Sequence, residues 1–171
     1  MGISLGGTGR ILAPRGTAQG PTWQLRADIE PLTTQFVSFG AGRLSGALHL
    51  LALGEMSFDA SPAGGGEAAN EAGAQIRVGY RLALDLWRLQ LGLGVELGPG
   101  VLAQLYDQRA MTVVFAIAPR LTVKVRIAQS VALMASADFS FTGLNYGETV
   151  ATSGFNWFVY PSVSAGLMVF F

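Results

Sequence analysis

From Phe155 to Phe171 the chain reads FNWFVYPSVSAGLMVFF, and its side chains alternate in character residue by residue. Trp157, Val159, Pro161, Val163, Ala165, Leu167, Val169 and Phe171 form one face, all of it apolar. Asn156, Phe158, Tyr160, Ser162, Ser164, Gly166, Met168 and Phe170 form the other, a mixture of polar, small and aromatic groups. A repeat of two is the signature of a β-strand, whose successive side chains point to opposite faces. The uncharged run Thr149–Phe171 is also long enough to cross a bilayer as a helix. Against the helix, Pro161 would remove an internal hydrogen bond, and the apolar residues recur with the strand's period.

The same pattern recurs upstream. Val131, Leu133, Ala135, Ala137, Phe139 and Phe141 alternate with Ala132, Met134, Ser136, Asp138, Ser140 and Thr142. Odd-numbered apolar residues from Val113 to Ile127 alternate with a second face carrying Arg120, Lys124 and Arg126. Leu89 to Leu97 alternate with Arg88, Gln90, Gly92, Gly94 and Glu96; Ile76 to Leu86 with Arg77, Gly79, Arg81 and Asp85; and Trp23 to Ile29 with Gln24, Arg26, Asp28 and Glu30. Eight strands are expected, over 2–12, 22–42, 46–58, 73–86, 88–105, 110–127, 131–142 and 155–171. Two stretches resist this scheme. Segment 22–42 is long, and a turn at Pro31 would divide it and raise the count to nine; Leu44–Leu53 alternates weakly and alone would pass for a helix.

The connections alternate in length as well. Short turns are expected near 43–46, 87–88 and 128–130, and longer polar or Gly-rich loops near 13–21, 59–72 and 143–154, with 106–110 a shorter member of the long set. That is the pattern of transmembrane barrels. In hydrocarbon every backbone group must be paired, so such a sheet has to close on itself. The expected fold is all-β: a closed antiparallel up-and-down transmembrane β-barrel forming one domain over residues 1–171.

Composition agrees. Half of the chain is apolar and only 13% is charged, whereas soluble domains are nearer a quarter charged; some apolar surface must face something other than water. Eleven Lys and Arg balance eleven Asp and Glu, which excludes the basic surplus that nucleic-acid binding needs. Absence of cysteine excludes disulfides and thiolate metal sites. No metal-ligand spacing is present, and the pieces GGTG (6–9) and GGG (64–66) lack the Lys-Ser/Thr and helix of a phosphate loop. No cofactor is expected.

With the apolar face outward, the lumen would hold Arg26, Arg77, Arg81, Arg88, Arg120, Lys124 and Arg126 with Asp28, Glu30, Glu55, Asp85, Glu96 and Asp138. An eight-stranded barrel is just wide enough for side chains to fill it. These charges are therefore expected to form a packed polar network, since unpaired buried charge is costly. Lumen glycines (Gly79, Gly92, Gly94, Gly98, Gly166) would serve strand curvature or give room beside arginine side chains. Aromatics near strand ends, Trp23, Trp87, Trp157 and Phe171 among them, fit interfacial girdles. The single histidine, His49, shares its strand face with Glu55 and Ser57, the one feature that favours an enzyme.

Alternation through the chain and the terminal Phe171 resemble the small, eight-stranded outer-membrane β-barrel proteins of Gram-negative bacteria. The resemblance implies an outer-membrane location, a monomer in contact with the lipid bilayer and lipopolysaccharide, and a C-terminal strand read by the outer-membrane assembly machinery. It further implies a structural, adhesive or membrane-integrity role without catalysis. Such a protein needs an export signal, which Met1-Gly2-Ile3 does not supply, so a leader or further strands are expected upstream of Met1. Other readings are a narrow passive pore, a soluble lipocalin-like barrel, and a lipid A-modifying enzyme using His49. For the last, the His-x-Ser pattern expected of the deacylase family is absent, since Leu50 and Leu51 follow His49.

Overall fold

The computed structural model describes residues 2–12, 18–60, 69–104, 110–144 and 156–169. They form eight strands: β1 (Gly2–Leu12), β2 (Ala18–Phe39), β3 (Gly42–Ala60), β4 (Ala69–Leu86), β5 (Leu89–Gln104), β6 (Ala110–Ala128), β7 (Val131–Leu144) and β8 (Asn156–Val169). Each pairs antiparallel with the next, and β1 pairs with β8, so the sheet is a closed barrel. The alternating stretch at the C-terminus is strand over Asn156–Val169, not a helix.

The cross-strand register sets the barrel's dimensions. Starting at Gly42 and stepping perpendicular to the strands, the partners are Leu86, Leu89, Val125, Leu133, Leu167, Ile3 and Ala27. The next partner is Ala52, back on β3 and ten residues from the start (42 to 52). Eight strands with that stagger require a tilt of about 40° and a backbone radius of about 8 Å. A cylinder so narrow is filled by its own side chains.

Strand faces follow the alternation. On β5, Leu91, Leu93, Val95 and Leu97 are exposed while Gly92, Gly94, Glu96 and Gly98 are buried; on β6, Val113, Phe115, Ile117 and Leu121 are exposed while Arg120, Thr122 and Lys124 are buried. This is the reverse of a soluble barrel. An apolar belt of this extent, running over successive strands, is a surface for lipid and not for water. Leu44–Leu53 belongs to β3, with Leu48 and Leu50 outside. Its weak alternation has a physical cause: Leu51 and Leu53 point into the lumen and supply apolar filling there.

The long segment around Pro31 is one strand, so the count is eight and not nine. Its register shifts between Ile29 and Leu32, where Glu30 and Pro31 stand opposite His49 alone. A bulge tolerates proline because the extra residue need not donate to the ladder. A second shift leaves Phe36 as the extra residue between Gln35 and Val37. The tight turn that follows lies at Gly40-Ala41, not at 43–46, and Gly40 there takes a φ of 51°, which a residue without Cβ adopts at no steric cost. The other tight turns fall at Trp87-Arg88 and Gln129-Ser130, as their short spacing indicates.

Two glycines on the outer face are covered by aromatics. A Cβ on Gly46 would stand 2.0 Å from Tyr80 Oη and 2.8 Å from a Phe36 ring carbon, and one on Gly42 would stand 2.7 Å from a Phe39 ring carbon. The rings occupy the space above the bare backbone and shield it.

Leu121 lies near mid-height on the lipid-facing side. Leu121→Arg is expected to lower stability by about 2–4 kcal/mol, the cost of a cation near the bilayer midplane. Equilibrium unfolding from lipid vesicles in urea would measure it, with Leu121→Ala as the control for lost side-chain volume.

Candidate functional site

The strongest concentration of chemistry in the described residues is the lumen itself. Its centre is Arg120 on β6. The Arg120 guanidinium donates from Nη1 and Nη2 to both oxygens of Asp28 at 2.9 and 2.7 Å, and from Nη1 to Glu96 Oε1 at 2.7 Å. Nη2 also reaches Ser136 Oγ at 3.2 Å, and Ser136 is hydrogen-bonded to Ser164 at 2.6 Å. Four strands (β2, β5, β6 and β7) thus converge on one side chain. Glu96, fully buried, accepts in addition from His49 Nε2 at 2.9 Å and faces Arg77 Nη1 at 3.8 Å.

Nearer the loop end of the barrel a motif is used twice. In Gln24-Leu25-Arg26 on β2, the Gln24 carbonyl accepts from Arg26 Nε and Nη2 at 3.3 and 2.8 Å, and Nη2 also donates to Ser162. In Gln75-Ile76-Arg77 on β4, the Gln75 carbonyl accepts from Arg77 Nε and Nη2 at 3.0 and 2.7 Å, and Nη2 donates to Ser140 at 3.1 Å. Residues i and i+2 share a strand face, so each glutamine braces the guanidinium beside it. Arg26 completes its contacts with an ion pair to Asp138. Glu55, half-buried, accepts from Gln24 at 3.5 Å.

Toward the tight-turn end, Glu30 Oε1 is shared by Arg81 at 2.7 Å and Lys124 at 2.5 Å. Below it Asp85 accepts from Arg43 at 3.1 Å, Ser45 at 3.0 Å and Gln90 at 2.5 Å. The network opens here into two adjoining cavities of about 450 Å³ each, which share Gln35, Arg43, Asp85, Gln90 and Arg126 in their walls.

Glycines make room for this network. A Cβ on Gly92 would stand 2.5 Å from Arg81 Cδ; on Gly79, 2.8 Å from His49 Nε2; on Gly98, 2.0 Å from the Ile76 carbonyl and 2.8 Å from Arg77 Cα. At Gly79 and Gly92 bare backbone faces a long polar side chain, whereas at Gly98 it admits the close approach of the β4 backbone. The glycines are needed for volume at the same positions where the charges need partners.

The residues singled out by alternation occupy three environments. Arg26, Asp28, Arg77, Arg81, Glu96, Arg120, Lys124 and Asp138 are buried in the lumen; Glu30, Glu55 and Asp85 are partly buried at its edges. Arg126 is exposed in the wall of the mouth. Arg88 departs from the expected lumen position: it sits on the tight turn, exposed, with its guanidinium 4.8 Å from the centroid of the Trp87 ring. Parity fails there because the residue belongs to a turn and not to a strand. Trp87 itself is 84% exposed at a φ of 53°, a left-handed conformation that costs a side chain roughly 1–2 kcal/mol. Trp23 is also exposed, while the side chain of Trp157 and all of Phe171 lie outside the described residues. Arg43 and Gln75 were not singled out by alternation, and Gln24, though placed on the polar face, was not expected in the charge network. The repeated Gln-x-Arg spacing was the available signal for the two glutamines.

His49 is buried with Nε2 on Glu96, and no hydroxyl is hydrogen-bonded to either of its ring nitrogens among the described residues. Of the two serines that share its face on β3, Ser45 donates to Asp85 at 3.0 Å, and Ser57 has its side chain outside the described residues.

No family model and no curated protein matches the chain. Solved structures do. Neisserial surface protein A (NspA) superposes with a TM-score of 0.64 at 13% identity over 99% of this chain and 95% of that one. The outer membrane enzyme PagL gives 0.53 at 10% identity over 97% and 98%. Ail, the attachment invasion locus protein of Yersinia pestis, in complex with the heparin analogue sucrose octasulfate, gives 0.51 at 10% identity over 98% and 95%. The likeness establishes the fold, that of the small outer-membrane β-barrels, over nearly the full length of the chain.

Arg120→Met is expected to destabilise the barrel by about 3–5 kcal/mol, because it strands Asp28 and Glu96 in the lumen. Adding Asp28→Asn and Glu96→Gln to Arg120→Met should recover a large part of that loss. Urea unfolding of the refolded proteins, followed by tryptophan fluorescence, measures both.

Proposed function

We propose that this chain is an outer-membrane protein of a Gram-negative bacterium that acts through its outer surface, in a structural, adhesive or membrane-integrity role, and not through its lumen. The observation that carries this reading is the packed plug formed by Arg26, Arg77, Arg120, Asp28, Glu96 and Asp138, each at most 3% exposed. Ions crossing the barrel would have to break several charge-assisted hydrogen bonds at once, each stronger than a neutral one. With the tight turns on the periplasmic side, the opposite strand ends, at Leu12, Ala18, Ala60, Ala69, Gln104, Ala110, Leu144 and Asn156, face outward. They and the apolar belt are then the surfaces offered to lipopolysaccharide, to the bilayer and to partners outside the cell. The chain is a monomer in this reading, and its C-terminal strand is the segment that the assembly machinery engages.

Catalysis is not part of the proposal. PagL is described as an enzyme, and it shares this fold at 10% identity, but a fold hosts many functions and the site must carry the argument. An enzyme acting on membrane lipid needs its base on the lipid-facing side. His49 points the other way, into the lumen, with Glu96 as its partner. A Ser–His pair within hydrogen-bond reach, which activation of a hydroxyl requires, is not formed by the described residues.

The test is single-channel recording of the refolded protein in a planar bilayer, with insertion confirmed by protease protection. A silent bilayer is the expected result. Stable, reproducible conductance steps would overturn the closed-lumen reading in favour of a pore. Unchanged lipid A on expression in a bacterial host would bear out the absence of catalysis.

A further inference from the structure

The apolar belt is interrupted by two hydroxyls. Among the described strand residues, Thr34 on β2 and Tyr80 on β4 stand on the outward face. Thr34 is the cross-strand partner of Gly46. Tyr80 lays its ring across β3, so that Oη takes the place a Gly46 Cβ would need. Directly opposed strand positions hold their Cβ atoms roughly 5 Å apart, which makes the Tyr80 hydroxyl a near neighbour of Thr34. Both residues are exposed, and neither hydroxyl is hydrogen-bonded to a described residue. Phe36, the bulged residue of β2, closes the spot from the side with a ring carbon against Gly46. A hydroxyl without a partner is costly in hydrocarbon, so on this face the medium has to supply one.

Depth decides which partner that is. Above the spot Leu48, Leu50 and Val78 are exposed to lipid. Below it Arg43, three residues from Gly46 along β3 (43 to 46), and Arg88 in the neighbouring turn are also exposed. Three residues of tilted strand span roughly 8 Å of height, and a headgroup layer is about 5–8 Å thick. The hydroxyls therefore sit where headgroups end and acyl chains begin, the level of the acyl esters. The geometry points to a docking site for a diacyl phospholipid on the outer face of β2–β4, in which Thr34 and Tyr80 donate to an acyl-ester carbonyl while Phe36 and Leu48 flank the chain. A carbonyl oxygen has two lone pairs and accepts from both hydroxyls at once. The acyl chain itself offers no acceptor, and the phosphate lies a layer lower, beside the arginines. The site rests on the reading that the belt faces a bilayer, and it adds the lipid group that is recognised and the residues that recognise it.

Urea unfolding of the full-length protein from two kinds of vesicle tests it, with tryptophan fluorescence as the readout. One vesicle is dilauroylphosphatidylcholine. The other is its didodecyl ether analogue, which keeps the headgroup and chain length and lacks the ester carbonyls. The folding equilibrium constant of the wild type is expected to be about five-fold or more higher in the ester lipid, the worth of one net hydrogen bond. The Thr34→Val/Tyr80→Phe double variant keeps the side-chain volumes and the ring over Gly46, and should lose that preference. Equal stability of the wild type in both lipids, or a preference that the double variant retains, overturns the site while leaving the outer-membrane reading intact. A loss on substitution that is equal in both lipids and grows with the protein-to-lipid ratio would assign the hydroxyls to a second copy of the chain, and also overturns it. Failure to insert into either vesicle would overturn the outer-membrane reading and the site with it.

Discussion

A backbone in hydrocarbon has no water to hydrogen-bond, so every N–H and C=O must find a partner in the protein. In this chain β1 meets β8, and that closure removes the sheet edges that an open sheet would leave bare. Everything else follows from it. Closing eight strands with a ten-residue stagger yields a narrow cylinder. The outward side chains must then match lipid, and the inward ones must fill a space that has no apolar partner layer. The lumen meets the second demand mainly with arginine, carboxylate, glutamine and serine, supplemented by Leu51, Leu53 and a few small apolar residues.

Buried charge is a poor source of stability in itself, because desolvation opposes the Coulombic gain. Its role here is clearer as a device of register. Arg120 is held by residues from three other strands, and Arg26 and Arg77 are each braced by a glutamine two residues away. A slip of one residue on any of these strands would turn a guanidinium toward lipid. The glycines support the same arrangement: Gly79 and Gly92 leave space where the His49 and Arg81 side chains lie, and Gly98 lets the β4 backbone at Ile76-Arg77 approach closely. Shape and charge therefore specify the same pairing.

The barrel is also asymmetric along its axis. The plug is balanced in charge and buried, while the tight-turn mouth is hollow. The β2–β3 hairpin contributes to that difference. Two bulges shift its phase, so that Thr33 and Gln35 succeed Glu30 on the lumen side, and residues 31–41 are exposed where they pass the plug. Pro31, which by itself argues against a central strand, is the residue at which the change of phase is tolerated.

Strand number, alternation, the outward belt and most of the lumen set were legible in the chain, because a period of two assigns every strand residue to one of two faces and hydrocarbon admits few architectures. Parity could not place Arg88, since a turn residue has no face, nor reveal that Leu51 and Leu53 fill the lumen, since their apolar character suits either side. It also placed one turn a few residues late, because the bulges around Pro31 and Phe36 insert residues that the ladder does not count. Which charges meet was decided only by closure. Arg120 and Asp28 are 92 residues apart in the chain, and their contact depends on the tilt and stagger of the whole barrel, a long-range property that no local spacing carries.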